Sequence, residues 1–397
     1  MFSLDDGQRL ADRLIALRHA LHREPELGLD LPLTQAKVLA DLADLPLEIS
    51  TGAALSSVTA VLRGGRPGPT VLLRGDMDAL PVAEESGLDY ASQMPGRMHA
   101  CGHDVHTAAL AGAARLLAGR RDELAGNVVF MFQPGEEGQG GARLMIEEGV
   151  LDAAGERVVA AYAMHVMSGG FPLGVIGTRP GPMLSACDTA TVTVTGAGGH
   201  GSLPHQATDP VPAMCEMVLA LQTMVTRSID AFDPAVITVG SIHAGTVANV
   251  IPGSGRFEAT IRSFSTETHR AIREGFRRVV SGIAAAHGVR VDIDYREQYP
   301  VTVNDAAEAA FALRAAIGLV GPQLAITAPR PMAASEDFSF VLDQVPGAYL
   351  GLGAVPPGVD PATAAMNHSP QAVFDDGSVP IGAVLLAELA ARRLAEA

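Results

Sequence analysis

The order of strand-like and helix-like stretches is the feature that most constrains the fold of this chain. Short apolar β-type runs at 58–62, 70–73, 127–132 and 158–163 alternate with helical patterns at 10–21 and 104–117. This alternation is typical of βαβ units and predicts an α/β fold with a mostly parallel sheet. In such a sheet, functional side chains lie in loops beyond the carboxyl ends of the strands.

A middle block has a different pattern. Residues 189–195, 256–261 and 289–295 alternate with a period of two, and helical stretches at about 210–227 and 266–287 separate them. We expect a small α+β sandwich with one exposed sheet face. Because the α/β pattern resumes after Asn304, the predicted domains are 1–181 together with 300–397, and an inserted domain at 182–299.

Composition excludes several classes of function. The net charge of −16 argues against nucleic acid as a partner, because phosphate binding needs clustered basic residues. We find neither a secretory signal pattern at the start of the chain nor an apolar run that would span a bilayer. The three cysteines are widely spaced and odd in number, which favours a reduced compartment, the cytoplasm.

Five segments concentrate side chains of the types that bind metal ions, and all fall at predicted strand ends or loops. They are RGDMDALP (74–81), MHACGHDVHT (98–107), QPGEEGQGG (133–141), AMHV (163–166) and MNHSP (366–370). Taken singly, each has an ordinary interpretation: a strand-end histidine, a buried cysteine, a solvated acidic loop or a turn. Their joint occurrence in one α/β domain favours a metal site.

The segments resemble those of the M20 metallopeptidase family, in particular its aminoacylase, hippurate hydrolase and indole-acetyl-amino-acid hydrolase branch. The most specific motifs are CGHD (101–104), GEEG (135–138), GHGS (199–202) and NVIP (249–252), in that order. The resemblance covers nearly the whole chain, from RHALHREPE (18–26) to His368.

The resemblance implies a catalytic domain with two metal ions and an inserted, ferredoxin-like lid or dimerisation domain. It also implies a set of five ligands: Cys101, His103, Glu137, His165 and His368. Imidazole and carboxylate ligands suit Zn, Mn, Co or Ni, whereas a thiolate favours softer ions. Zinc is therefore the expected metal.

By the same resemblance, Glu136 is the general base and acid that serves a metal-activated water, and Glu137 is a ligand. We expect the two side chains to point in opposite directions, as neighbours in an extended loop do. Asp78 is expected to orient a metal-bound imidazole. The wider family has histidine two residues before that aspartate, where this chain has Asp76, and Cys101 is expected to replace the lost ligand.

The inserted domain is expected to contribute substrate contacts. The resemblance implies that His200 reaches the site of a partner subunit and binds the scissile carbonyl oxygen, and that Asn249 and Arg262 bind substrate. It thus implies a homodimer, or a tetramer, that forms through the inserted domain. The local alternatives are a solvent-facing strand arginine at 262 and a glycine-rich turn at 200. We expect supporting roles for His106 and His205.

The function predicted from these residues is hydrolysis of the amide bond of N-acyl amino acids. An exopeptidase or a deacylase of other small amides, such as N-acetyl or carbamoyl compounds, would carry the same motifs. A cysteine hydrolase with Cys101 as nucleophile would leave Glu136, Glu137, His165 and His368 unexplained. A non-catalytic metal-binding protein of this fold would be expected to lack Glu136.

Overall fold

The computed structural model describes residues 1–396. Its α-helices are α1 Leu4–Gln8, α2 Ala11–Arg23, α3 Pro32–Leu42, α4 His103–Ala118, α5 Gly141–Glu147, α6 Pro210–Ser228, α7 Thr266–His287, α8 Ala306–Val320, α9 Ser339–Leu342 and α10 Ser378–Ala395. Its strands are β1 Leu47–Thr51, β2 Val58–Arg63, β3 Arg66–Asp76, β4 Ala125–Gln133, β5 Ala160–Pro172, β6 Ile176–Thr178, β7 Gly181–Leu184, β8 Ala186–Thr195, β9 Gly199–His200, β10 Ala235–Ala244, β11 Val250–Ile251, β12 Ser254–Ser263, β13 Arg290–Tyr299, β14 Thr302–Asn304, β15 Ala325–Thr327 and β16 Gly347–Val355.

The chain divides into two compact units. The first unit comprises Met1–Met183, Val303–Arg330 and Asp337–Ala397, and the second comprises Leu184–Thr302 with Pro331–Glu336. The short segment at 331–336 lies outside the insertion that we predicted. It joins the second unit because the main-chain N–H of Ser185 donates to the carbonyls of Met332 and Ala334 at 3.2 and 2.9 Å.

The first unit is built on an eight-stranded sheet with the order β1-β2-β4-β3-β5-β16-β6-β15. Its four central strands, β4, β3, β5 and β16, run parallel to one another, and antiparallel strands lie towards the edges. The predicted α/β fold with a mostly parallel sheet is therefore confirmed. The carboxyl ends of the central strands gather at one edge of the sheet, where a site is expected to form.

Helix α4 lies in the core of the first unit. It is rich in alanine and buried almost all round, and it packs between α2, α10 and strand β3. Small side chains allow this close packing on several sides at once. As a result, the first turn of α4 is held at a fixed position relative to the strand ends.

The second unit has its own apolar core, between helices α6 and α7 and a four-stranded sheet with the order β10-β12-β8-β13. From Thr189 onwards strand β8 alternates, with Ala190, Val192 and Val194 buried and the threonines between them partly exposed. This is the period-two pattern of a sheet with one packed face and one open face.

Two further features bear on the sequence expectations. Cys101, Cys187 and Cys215 are all unpaired. Within residues 1–396, no helix combines the length and the apolar character that crossing a bilayer would need.

Candidate metal centre

The first two predicted ligands flank the start of helix α4. Gly102 is the N-cap residue and has a left-handed backbone with φ of 85°. A Cβ atom at this position would lie 2.4 Å from a methyl carbon of Val166, so a side chain would be strained and would also clash. The glycine thus allows the chain to turn between Cys101 and His103 and brings both side chains to one site.

The predicted ligand atoms converge. The sulfur of Cys101 lies 3.3 Å from Nε2 of His165 and 3.2 Å from Nε2 of His368. Nε2 of His368 lies 3.3 Å from Oε1 of Glu137. Two ligands on one tetrahedral zinc ion lie about 3.5 Å apart, given bond lengths of about 2.0–2.3 Å. The spacing of these donor atoms therefore fits a shared ion.

The donor atoms form two overlapping groups. Cys101, His103 and His165 offer atoms within 4.8 Å of one another, and so do Cys101, Glu137 and His368. The sulfur of Cys101 belongs to both groups. The two groups of residues would thus fit two metal ions.

Hydrogen bonds select the ring nitrogen that each histidine offers. Nδ1 of His103 donates to the main-chain carbonyl of Asp78 at 2.8 Å, and Nδ1 of His165 donates to the carbonyl of Val166 at 2.8 Å. A carbonyl oxygen only accepts, so the proton sits on Nδ1 and the lone pair of Nε2 is available to a metal. Nε2 of His103 is buried without a hydrogen-bond partner, which is the environment of an atom that binds an ion.

The charges of the site favour a cation among these donors. Burial raises the pKa of the Cys101 thiol, but His165 and His103 lower it well below its usual value, which favours the thiolate. Hydrogen bonds from the His368 ring to Cys101 and Glu137 raise the pKa of His368 to about 10, against the effect of burial. A divalent ion would supply the positive charge that this donor set attracts.

His106 is excluded as a ligand because both of its ring nitrogens are used. Nε2 accepts from the main-chain N–H of Val166 at 2.9 Å, and Nδ1 donates to Oδ1 of Asp76 at 2.5 Å. Asp76 also accepts from Arg74 at 2.7 Å, and this contact is fully buried. These contacts favour the supporting role that we expected for His106. Asp76 is held by an arginine, which disfavours metal binding at this carboxylate.

The Glu136–Glu137 pair corrects one expectation. The segment is a tight turn, in which the N–H of Gly138 donates to the carbonyl of Glu136 at 2.7 Å, and it is not an extended loop. The turn forms because the carboxylate of Asp78 accepts from the N–H groups of Glu136 and Glu137 at 2.9 and 3.0 Å. The two side chains do not diverge, since each offers an oxygen within 4.8 Å of the His103 ring. Asp78 thus holds the turn through its carboxylate and the imidazole of His103 through its main-chain carbonyl.

His165 and His368 also differ from the sequence picture. His165 lies inside strand β5 and not at its end, because β16 continues to pair with β5 as far as Pro172 after the pairing with β3 has stopped at Ala163.

His368 has φ of 72°, and among residues 1–396 it is the only non-glycine residue with a positive φ. Strain of this kind is concentrated at functional sites.

The candidate residues of the second unit are more exposed. His200, in strand β9, and Asn249, just before β11, are both exposed, and these short strands pair with each other. Arg262 is half-buried on β12 and donates to the hydroxyl of Thr260 at 2.8 Å. His205 is exposed in a short 3-10 helix. The side chain of His200 hydrogen-bonds to the hydroxyl of Ser202 in its own loop, at 2.8 Å.

One buried network was not predicted. Asp104, in the first turn of α4, accepts from Arg18 at 3.0 Å and from Nδ1 of His22 at 2.9 Å. All three residues are at most 1% exposed. They lie within the motifs that carry the family resemblance, so their presence there was the available signal.

The fold and these donors together define an α/β protein whose side chains fit a metal centre. The chain belongs to the peptidase family M20/M25/M40, whose family model matches residues 72–392. It is therefore a hydrolase that acts on amide bonds.

Similar proteins differ in their named substrates. The chain is 36% identical to N-acetylcysteine deacetylase of Bacillus subtilis, over 95% of this chain and 96% of that protein. It is 35% identical to thermostable carboxypeptidase 2 of Saccharolobus solfataricus, over 97% and 96%. Among solved structures, the Bacillus subtilis YXEP protein, a dinuclear metal binding peptidase of the M20 family, superposes with a TM-score of 0.83 at 32% identity, over 98% of this chain and 99% of that one.

Proposed function

We propose that the protein hydrolyses the amide bond of N-acyl amino acids, with two divalent metal ions held by Cys101, His103, Glu137, His165 and His368. The observation that carries the proposal is the convergence of the Cys101 sulfur with Nε2 of His165 and of His368 at 3.2–3.3 Å. Because Cys101 belongs to both donor groups, its sulfur would help to hold an ion in either group. The thiolate favours zinc, and Mn, Co and Ni are the other candidates.

The metal ions, when bound, would polarise the scissile carbonyl and make a water molecule acidic enough to attack it near neutral pH. Glu136 is the residue that would take the proton from the attacking water and deliver it to the departing amine. Its position supports this role, because it is 7% exposed and its main chain is anchored to Asp78. A buried, anchored carboxylate can hold the proton between the two steps without being displaced.

The carboxylate of the substrate would be bound by Arg262. With a net charge of −16, the chain repels anions, so an anionic substrate needs a local cation. Arg262 is half-buried and donates to two neutral acceptors of its own unit, Thr260 Oγ1 and the carbonyl of Ile261. Neutral acceptors do not compensate the guanidinium charge, which would let Arg262 pair with a substrate carboxylate.

A carboxypeptidase is the second candidate, and the 35% identity to thermostable carboxypeptidase 2 favours it. The two reactions share a feature. In both, the departing amine is an amino acid with a free α-carboxylate, and the substrates differ only in the acyl side of the bond. The same Arg262 and the same metal centre would serve either substrate.

We propose further that the active form is a homodimer, or a tetramer, in which the second unit makes the contact and His200 binds the scissile carbonyl in the partner's site, with Asn249 beside the substrate. Strand β10 is an edge of its sheet and carries the exposed side chains Val236 and Ile242. An open edge with exposed apolar residues is suited to pairing with a second copy across a two-fold axis.

The test is a hydrolysis screen with controlled metal content. The purified protein is stripped with a chelator and reloaded with Zn, Mn, Co or Ni singly. It is then assayed on N-acetyl, N-benzoyl and N-indoleacetyl amino acids and on dipeptides with the same C-terminal residue. We expect activity to vanish on chelation and to return with metal. Substrates with a carboxamide in place of the α-carboxylate should lose roughly 10- to 100-fold in kcat/KM, because a hydrogen bond to a charged group contributes about 1.5–3 kcal/mol.

The metal control separates this proposal from a cysteine hydrolase. The contact between Cys101 and His165 also resembles a nucleophile with its base, so thiol alkylation alone would not discriminate between the mechanisms. Full amidase activity after verified removal of metal would overturn the metal mechanism. Equal rates on the carboxylate and carboxamide substrates would overturn the proposed role of Arg262.

A further inference from the structure

We propose that Asn367 is a positioning residue of the metal centre, which ties together the three chain segments that carry Cys101, His165 and His368. The inference rests on the proposed metal centre. Nothing in the sequence pattern singles out this asparagine, which lies between an exposed methionine and the ligand histidine.

Both the NH2 group and the carbonyl oxygen of the Asn367 side-chain amide have hydrogen-bond partners. Its Nδ2 group donates to the main-chain carbonyl of Cys101 at 3.2 Å and to that of Val166 at 3.0 Å. Its Oδ1 accepts from the main-chain N–H of Ser168 at 3.0 Å. Because the two carbonyls only accept and the N–H only donates, a single orientation of the amide satisfies all three contacts.

Each of these contacts acts on a ligand. The carbonyl of Cys101 belongs to the ligand residue itself. The carbonyl of Val166 also accepts from Nδ1 of His165, so its position determines how that ring presents Nε2. The peptide bond that follows Asn367 leads directly into His368.

The position of His368 needs support of this kind. Its backbone is left-handed, at φ of 72°, and such a conformation in a non-glycine residue persists only where the surroundings hold it. The N–H of His368 donates to the carbonyl of Ala100 at 2.8 Å. Ala100 directly precedes Cys101, whose carbonyl accepts from the side chain of Asn367. Hydrogen bonds to the carbonyls of Ala100 and Cys101 thus hold the loop that carries His368.

An amide is the side chain that this position requires. Aspartate has the same shape but no donor when ionised, so it would set negative oxygens against the carbonyls of Cys101 and Val166. The acceptor contact to Ser168 would survive. Asn367→Asp therefore removes the link to the ligand segments while it changes the volume hardly at all.

The chain offers a matched control in Asn304. Its Nδ2 group donates to Thr178 Oγ1 and to the carbonyls of Arg179 and Tyr349, and its Oδ1 accepts from the N–H of Tyr349 at 2.7 Å. This is the same kind of amide clamp in the same unit, but it holds no ligand segment. Asn304→Asp thus measures how much stability is lost when a hydrogen-bonded side-chain amide is removed away from the proposed ligands.

The experiment uses full-length protein with cobalt(II) alone as the probe. A thiolate bound to cobalt gives a charge-transfer absorption, so the band reports Cys101 directly. We expect Asn367→Asp to weaken cobalt binding about 10- to 100-fold, as mutation of groups that orient ligands commonly does, and to shift or weaken the band. Asn304→Asp should lower the melting temperature but keep the affinity and the band of the wild type.

The outcomes separate the inference from the metal centre itself. Wild-type protein that binds cobalt without a band removable by Cys101→Ala would overturn the proposed ligand set. A normal wild-type band with unchanged affinity and band in Asn367→Asp would overturn only the role of Asn367. If circular dichroism shows Asn367→Asp to be unfolded, Asn367→Ala replaces it, and wild-type affinity and band in that variant would equally overturn the inference.

Discussion

The candidate residues of the two units differ in how firmly they are held. In the first unit, Asp78 and His103 are fully buried, and each has a named partner that fixes its orientation. In the second unit, His200 and Asn249 are exposed. The first set is arranged before any substrate arrives, as a site that stabilises a transition state must be. The second set can act only on something that approaches it, such as a substrate or another copy of the chain.

The cores of the units show the same contrast. The first unit buries charges next to its site, including Arg18, Arg74, Asp76 and Asp104. The second unit keeps an apolar core under α6 and α7, and its charges lie mostly on open surfaces. Buried charges are expensive unless they are paired. Their concentration in the first unit indicates that chemistry, and not stability alone, determined that part of the sequence.

Glu136→Gln gives the largest expected effect and tests the buried side of this contrast. The substitution keeps the shape of the side chain and removes the base, so kcat should fall by ~10²–10⁴-fold. Metal content, measured by elemental analysis, should stay near that of the wild type. Glu137→Gln is the matched variant, because it changes the neighbouring residue in the same turn and should lose metal. If metal were lost only from Glu136→Gln, Glu136 would be the metal ligand and Glu137 the base.

His200→Ala tests the exposed side of the contrast. If His200 binds the scissile carbonyl, turnover should fall by ~10²–10³-fold, the usual effect of removing a donor to a developing oxyanion. The protein should remain folded and metal-loaded, since the side chain of His200 is exposed and hydrogen-bonds to Ser202 of its own loop. A mixture with Glu136→Gln should regain activity, because a mixed dimer contains one site with both native residues.

This complementation needs its own control. Subunit exchange is confirmed by a pull-down through a tag on one variant. Activity that stays absent after confirmed exchange would mean that His200 serves the site of its own chain, or no site. In that case the second unit would contribute to one chain only.

His22→Gln gives the smallest effect, on stability. Nδ1 of His22 donates to Asp104 and Nε2 to Glu84 at 3.1 Å, so the ring must carry two protons. Burial lowers the pKa of His22, but the charge of Asp104 and the hydrogen bonds to both carboxylates raise it to about 9. The native pKa is above the ordinary value of about 6.5, so the stabilisation is complete below that pH and is lost as the pH rises through about 9.

The expected loss in His22→Gln is about 1.5–3 kcal/mol of unfolding free energy at pH 6.5, and the difference from the wild type should narrow towards pH 10. Urea unfolding at several pH values measures it, and His243→Gln, at an exposed position on β10, is the matched control. A difference that does not change with pH would contradict the protonated state of His22.

Local patterns predicted much of this structure. Helix α7 was predicted at its observed bounds, because its apolar residues repeat with a clear helical period. The extension of β5 beyond Ala163 could not be predicted, since it depends on pairing with β16, almost 190 residues further along the chain. The candidate donor residues were predicted from the residue types of five segments and from the resemblance of these segments to a known family. The turn at Glu136 and the clamp at Asn367 were not, because distant partners, Asp78 and Cys101, determine them.

The interrupted order of the first unit has a consequence for synthesis on the ribosome. All strands of the four-stranded sheet and both long helices of the second unit come from one continuous stretch, 184–302, so this unit can fold while the rest of the chain is still being made. The eight-stranded sheet is not complete until β16 takes its place between β5 and β6. His368 follows β16 in the chain, so a nascent protein can acquire its last proposed metal ligand only after β16 has been made.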